Sequence, residues 1–249
     1  MARTQVDFRK RAKRAVRRVT GPIRNGIIQH SPPWLKRSLG PSALYLDMLL
    51  VDHGIFRILY LNKHRLSERA WRSAQPAPFQ LRRAARRGVR TVVNLRGPRV
   101  CGSYTLEKQA CRDNGLELVD YVLRSRAAPS RSELQGAREL LRTVEYPILI
   151  HCKSGADRAG LMSTLYRIEI DGWPVDAARR ELSLRYGHFR QADTGILDAF
   201  FERYLADNAR TPMPFWQWVD TVYDADELKR SFQARGWANR VVDGVLKRE

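Results

Sequence analysis

From about residue 65 onward, the apolar positions of the chain switch repeatedly between a two-residue and a roughly 3.6-residue period, the signatures of half-buried strands and amphipathic helices. Residues 70–76, AWRSAQP, read as a short strand that ends in a turn at Gln75-Pro76. Residues 78–88 form a basic helical pattern closed by Gly88, and 89–95 a β-branched strand. Residues 104–114 are helical and again stop at a glycine, Gly115; 116–123 are a strand. Pro129-Ser130 opens a helix to about residue 145, with Glu133 placed to complete a capping box. A third apolar strand at 148–150 is followed by a loop and by a helix over 158–170. Residues 173–186 and 193–207 predict two more helices. Strands alternating with helices in this way predict an α/β fold, a central mostly parallel sheet flanked by helices. In such sheets ligands bind at the carboxyl ends of the strands.

The pattern changes at both ends, which divides the chain into residues 1–64, 65–208 and 209–249. Residues 39–61 are the most apolar stretch, but Asp47, Asp52, His53 and Arg57 interrupt them. A spanning helix needs about 20 mostly apolar residues, so the stretch reads as a buried or partner-facing helix instead. Residues 1–20 place Phe8, Ala12, Ala15, Val16 and Val19 at helical spacing among arginines and lysines. That is a weak amphipathic basic helix, suited to an anionic membrane surface, or else a solvated basic arm. It has no apolar core of the secretory type. Residues 209–249 begin with a proline-stiffened link and continue as an aromatic helical tail with Trp216, Trp218 and Trp237, expected to pack back on the core.

Composition sharpens this picture in two respects. The 249 residues carry 45 Lys and Arg against 26 Asp and Glu, a formal charge of +19. Such a balance suits a polyanionic partner, a phosphorylated substrate or an anionic lipid, although basic faces can also be merely solvated. Three cysteines without CxxC spacing argue against a disulfide framework and a zinc site. They favour a reducing compartment, so the expectation is a cytoplasmic protein, peripheral at the membrane if the arm binds there. There is no nucleotide-binding P-loop, because no Lys-Ser/Thr follows Gly160, and no nucleic-acid module, so nucleic acid is disfavoured as a partner.

The chemistry concentrates in PILIHCKSGADRAG, residues 147–160. The strand delivers His151 and Cys152 into a tight turn, and a helix starts near Arg158. A helix N-terminus offers unsatisfied N–H groups and a positive dipole end. With Gly155 in the turn, the amides of Lys153, Ser154, Gly155 and Ala156 can point inward and cradle a phosphate-sized anion. Arg158 can close the cradle with a bidentate guanidinium pair. The same field favours a nucleophilic thiolate at Cys152.

These residues resemble the Cys-x5-Arg signature of the cysteine-dependent phosphatases. The run His151-Cys152-x-x-Gly155-x-x-Arg158-x-Gly160 fixes five positions, a chance occurrence on the order of one in ten thousand for a chain of this length. Arg72-Ser73-Ala74-Gln75-Pro76, Val93-Asn94-Leu95-Arg96 and Glu107 followed by Gly115 stand in the order shown by small, atypical dual-specificity phosphatases of bacteria and by related enzymes that cleave inositol pyrophosphates. The resemblance covers about residues 65–205. It implies a dual-specificity phosphatase-like fold and hydrolysis of phosphate monoesters through a phosphocysteine, with Cys152 as nucleophile and Arg158 holding phosphate. No metal or cofactor is implied. Alternatives are a phosphoinositide or inositol (pyro)phosphate phosphatase, favoured by charge and Lys153, and a low-turnover phosphate-binding module.

The sequence departs from the family pattern in two places. The serine or threonine usual after the signature arginine, which supports the thiolate, is Ala159 here. The loop that commonly carries an acidic residue, 124–129, holds none; Asp120 falls four residues early, within the expected strand. The general acid is therefore expected at Asp157, beside Arg158, as the resemblance to myotubularin-type lipid phosphatases and some bacterial tyrosine phosphatases suggests; a structural carboxylate is the alternative. Arg124 and Arg126 border the expected pocket and can pair with further phosphates. His151 is expected to brace the loop and Gln191 to orient water. Cys101 and Cys111 are expected as ordinary thiols, or else as traps for an oxidised Cys152.

Overall fold

The computed structural model describes residue 42, residues 44–52 and residues 54–234. The basic arm at 1–20 and the end of the tail, Trp237 included, lie outside the described residues. Five strands form one sheet in the order β1-β2-β5-β3-β4. They are β1 (His64–Arg65), β2 (Ala70–Ala74), β3 (Thr91–Asn94), β4 (Glu117–Asp120) and β5 (Ile148–Cys152). Only the edge strand β1 is antiparallel; β2, β5, β3 and β4 pair in parallel. The register sets Ala74 beside Cys152, Asn94 beside His151 and Asp120 beside Asn94. Four carboxyl ends thus meet along one edge, where parallel sheets bind ligands.

Alternation along the strands sorts the core into two faces. Ile148, Ile150 and Cys152 look to one cluster, Leu149 to the other. The first face is covered by α4 (Arg131–Thr143), α5 (Asp157–Glu169), α7 (Ile196–Arg210) and α8 (Phe215–Thr221). The second is covered by α2 (Pro78–Ala85) and α3 (Gly102–Asp113). The expected capping box opens α4: Glu133 N–H donates to Ser130 Oγ at 3.2 Å, and Ser130 N–H to Glu133 Oε2 at 2.7 Å.

Three segments differ from the expected elements. Residues 39–61 do not form one helix. A π-helical turn at Asp47–Val51 and α1 (Gly54–Leu59) are broken at Asp52, which is buried and paired with arginines. Among the described residues no helix is long and apolar enough to cross a membrane. Residues 173–186 also fail to form one helix. After α6 (Val175–Ala178) the chain tightens into 3-10 turns at Arg179–Glu181 and Leu184–Tyr186. Where the helix gives way, Arg72 Nη1 donates to the Glu181 carbonyl at 2.6 Å and to its carboxylate at 2.9 Å, a tertiary contact that accompanies the break. In the tail, α8 is part of the core. Trp218 is fully buried against Phe200, Tyr204 and Tyr223, and its Nε1 donates to Asp207 at 3.0 Å. Each such aromatic pair adds about 0.5–1.5 kcal/mol beyond its buried area, enough in sum to fix this helix against the sheet face that carries Cys152.

Candidate active site

The loop between β5 and α5 is held from behind. The Ser154 carbonyl accepts from Asn62 Nδ2 at 3.0 Å. The Gly155 and Ala156 carbonyls accept from Arg72 Nη2 at 2.8 and 3.0 Å. A trans peptide points its N–H opposite its C=O. Fixing these carbonyls outward therefore turns the following amides inward, to the side where Cys152 ends β5 and α5 begins. Arg72 itself is fully buried on β2, stacked over the Tyr186 ring at 4.0 Å and paired with Glu181. Asn62, with φ 49°, uses the same amide to hold Tyr186 O at 2.9 Å.

Gly155 is required at its position. Its φ is +75°, and a Cβ there would sit 2.6 Å from Ala74 N and 2.7 Å from the Ser73 carbonyl carbon. The turn packs directly on the end of β2, which is how β2 sets the height of the loop above the sheet. Cys152 is buried, and Arg158 is half-buried, with Nη1 donating to Leu95 O at 3.3 Å. The loop thus brings together Cys152, Lys153, Ser154, Gly155, Ala156, Asp157 and Arg158 as the sequence places them.

Beside the loop runs a buried polar chain. His151 Nε2 meets Glu107 Oε1 at 2.6 Å, and Glu107 Oε2 accepts from Gln75 Nε2 at 2.7 Å. Gln75 Oε1 accepts from Arg96, whose guanidinium forks onto Asp52 at 2.8 and 3.1 Å. Asp52 also meets Arg57 at 3.1 Å and Lys153 Nζ at 3.3 Å. Burial alone would raise the Asp52 carboxyl, but Arg96, Arg57 and Lys153 hold it well below the usual carboxylate range. His151 is fully buried on the strand that carries Cys152, in close contact with Glu107. Lys153 of the loop is tethered to the segment that precedes the sheet.

Asp157, the first residue of α5, is held by a residue the sequence did not single out. His188 Nδ1 lies 2.8 Å from Asp157 Oδ1, and His188 Nε2 lies 2.7 Å from Asp198 Oδ2. The ring is buried. Burial would lower its pKa, but the hydrogen bonds to Asp157 and Asp198 outweigh it and lift the imidazole to about 9. His188, Asp198, Gln191, Arg180 and Arg185 are among the residues around a cleft of about 970 Å³ on the α6 side of the loop. Gln191 is among the residues that line that cleft; Asp157 is not.

Asp120 ends β4 with one carboxylate oxygen accepting from Asn94 Nδ2 at 2.7 Å and the other from Tyr104 OH at 2.5 Å. Both oxygens are taken up by the frame. Arg124 forks onto Glu133 at 3.0 and 3.0 Å and Arg126 is exposed. Ala159 is fully buried. Cys111 packs on the sheet face opposite Cys152, and burial pushes its thiol up to about 12, the state of an ordinary thiol.

Residues 60–194 match the family described as DSP-PTPase phosphatase fused to NAD+ kinase. The chain belongs to this DSP-PTPase phosphatase family. Among curated proteins it is similar to the dual specificity protein phosphatase TpbA of two Pseudomonas aeruginosa strains. One is 31% identical over 141 residues, 53% of this chain and 57% of the relative; the other is 31% identical over 161 residues, 61% and 67%. A beta-lactamase hydrolase-like protein of Xylella fastidiosa is 30% identical over 149 residues, 58% of this chain and 33% of that protein. The chain thus spans between a third and two thirds of the curated relatives it matches. A crystal structure of P. aeruginosa TpbA aligns over 69% of this chain and 90% of its own, with a TM-score of 0.49 and 21% identity. A second crystal structure, of a cysteine-to-serine form of TpbA in complex with pTyr, aligns over 58% and 91%, with a TM-score of 0.46 and 22% identity.

Proposed function

We propose that this phosphatase hydrolyses phosphate monoesters on protein tyrosine, with dual specificity for serine and threonine, through a phosphocysteine at Cys152. The observation that carries the reading is the loop whose carbonyls are capped from behind by Arg72 and Asn62. Preorganised amides aimed at developing charge need no reorganisation during reaction, and such electrostatic stabilisation supplies much of the rate in phosphoryl transfer. Cys152 Sγ attacks phosphorus, and the loop amides with Arg158 hold the three equatorial oxygens. The bond to the leaving oxygen breaks as Asp157 gives that oxygen a proton. Water then attacks phosphorus, Asp157 takes a proton from it, and the thiolate leaves with inorganic phosphate released. Asp157 is preferred over Asp120 because both Asp120 oxygens are engaged by Asn94 and Tyr104.

The test is a panel of phosphotyrosine and phosphoserine/threonine peptides, phosphoinositide vesicles and inositol polyphosphates, run with the wild type and with Cys152→Ser. Hydrolysis of phosphopeptides that disappears in Cys152→Ser supports the reading. Turnover confined to phosphoinositides or inositol phosphates hands the site to that substrate class. Phosphate binding without turnover of any ester reduces it to a binding module.

A further inference from the structure

We propose that Arg99 forms a substrate subsite beside the phosphate loop, and that it takes the carboxylate of an acidic residue next to the phosphotyrosine of a peptide. The inference rests on the reading of the chain as a protein phosphatase and deepens it. Two arginines hang from one turn of backbone. Arg158 Nη1 donates to Leu95 O at 3.3 Å, and Arg99 Nε donates to Arg96 O at 3.3 Å. Leu95 and Arg96 follow β3 directly, so the second guanidinium is anchored one peptide unit from the anchor of the first. The turn is fixed in its own right by the buried Asn94. Its Oδ1 accepts from Arg96 N–H at 3.0 Å, and its Nδ2 donates to Gly97 O at 3.3 Å and to Asp120 Oδ1 at 2.7 Å. A cation anchored on such a turn is in place before a ligand arrives, and little freedom is lost when it binds.

The carboxylates nearby are engaged with other groups. Asp52 is shared by Arg57, Arg96 and Lys153. Glu107 meets His151 and Gln75, Asp120 meets Asn94 and Tyr104, and Asp47 accepts from the Gly102 N–H. Among the described residues, neither Arg99 nor Arg158 has a carboxylate within ion-pair distance. Burial, and then the like charges of Arg96 and Arg158, depress the Arg99 guanidinium below its ordinary value, the mark of a cation that lacks an anion. The scissile phosphate occupies Arg158. A second anionic group satisfies Arg99.

Depth decides what carries that group. Arg158 is half-buried, whereas Arg99 and Val100 are exposed. A second phosphate on the same small ring would lie near the depth of the first. A phosphotyrosyl side chain enters the site and leaves its peptide at the rim, where the flanking side chains meet exposed groups such as Arg99. Val122, also exposed, closes over Gly97 and adds apolar surface to the same turn.

The experiment uses three phosphotyrosine peptides that differ only in the two residues flanking the phosphotyrosine, which are Glu, Gln or Lys. For each peptide kcat/KM is measured with the wild type, Arg99→Gln, Arg99→Glu and Arg82→Gln. Arg82 is exposed on α2, so its replacement removes the same charge from another face. The readout is the ratio between peptides within one enzyme, in which any general change in the site cancels. The wild type is expected to favour the Glu peptide over the Gln peptide by up to about fivefold, the range of an exposed ion pair, mainly through KM. That ratio should shrink towards one at about 1 M salt, where the Debye length is about 3 Å. It should fall to about one in Arg99→Gln and persist in Arg82→Gln. In Arg99→Glu the Lys peptide should overtake the Glu peptide. A wild type that hydrolyses all three peptides equally, or an Arg99→Gln enzyme that keeps the preference, overturns the subsite and leaves the phosphatase reading intact. An equal loss of preference in Arg82→Gln also overturns it, because net charge then sets the ratio. A wild type that hydrolyses none of the peptides overturns the protein-phosphatase reading and the subsite with it.

Discussion

Arg72 Nη2 donates to Gly155 O at 2.8 Å from a guanidinium that is itself fully buried. A charge in that position is tolerable only because its fork is filled by Gly155, Ala156 and Glu181. Breaking a buried pair by removing one partner costs about 3–5 kcal/mol. Arg72→Met is therefore expected to lower the unfolding free energy by an amount of that order, read as a lower urea midpoint. It should also lower kcat/KM for aryl phosphate more than Arg72→Lys does, because the lysine keeps charge but cannot bridge two carbonyls. Urea titration and steady-state kinetics on the same preparations check both.

Gly155 and Gly88 both have positive φ, +75° and +85°, but of the two only Gly155 would bring an added methyl group within 3 Å of backbone. Gly88→Ala is expected to cost stability alone, about 1 kcal/mol or somewhat more from the strained conformation. Gly155→Ala must in addition lift the loop off Ser73 and Ala74, so its turnover should fall by at least tenfold. Equal loss of activity in the two variants would show that the loop height does not matter.

Ala159 stands where the family pattern leads one to expect a hydroxyl beside the nucleophile. If the reaction runs through a phosphocysteine at Cys152, its breakdown is expected to be the slow step, and rapid mixing with a good leaving group to show a burst of product. Ala159→Ser should raise steady-state turnover several-fold. The position is fully buried, so Ala159→Thr should gain less, since overpacking a closed site costs about 1–3 kcal/mol. A wild type with no burst and an Ala159→Ser variant with no gain would assign the support of the thiolate to another group.

The His188 ring also makes stability depend on pH. Its pKa is raised from 6.5 to about 9 in the folded chain, so the folded state holds more protons than the unfolded one between those values. Stability from the ring is fully present below about pH 6.5 and is lost as pH rises through about 9, with an upper bound of about 3.4 kcal/mol at 1.36 kcal/mol per unit. The melting temperature should fall over that interval in the wild type and stay flat in His188→Gln. A parallel fall in both would place the alkaline transition on other groups.

Residues 1–20 are expected to carry the chain to an anionic membrane surface. Deleting residues 2–20 is expected to leave turnover of a soluble aryl phosphate unchanged and to weaken sedimentation with anionic vesicles. Each basic residue near such a surface is worth about 1 kcal/mol, and the attraction fades within a Debye length. The effect should therefore vanish at high salt. Undiminished vesicle binding by the truncated chain would show the arm to be a solvated tail.

The strands and the Cys152–Arg158 loop were legible because their signals are local. Short continuous apolar or β-branched runs mark β3 and β5, and the signature residues all lie within one short stretch of chain. The supports of the loop were legible only as a motif order. Arg72, Gln75, Arg96 and Glu107 are polar residues in or beside apolar runs, and nothing nearby tells which partner each will meet. His188 and Asp198 gave no signal at all, since His188 reaches Asp157 from 31 residues downstream and Asp198 holds the other ring nitrogen from another helix. The helix expected over 173–186 gives way where Glu181 meets Arg72, a partner 109 residues upstream that no local pattern announces.

The matched family region runs from residue 60 to residue 194, yet the buried network crosses both of its borders. Asp52, which neutralises Arg96 and tethers Lys153, lies before it. Asp198, Phe200 and Trp218 lie after it. A fragment cut at those borders would keep every signature residue but strand the Arg96 guanidinium in the interior without its carboxylate, and free the His188 ring to spin. The catalytic loop is therefore poorly portable: a chimera that transplants it must carry the flanking residues as well, and exchange of this unit between proteins would succeed only with joints placed outside residues 52 and 218.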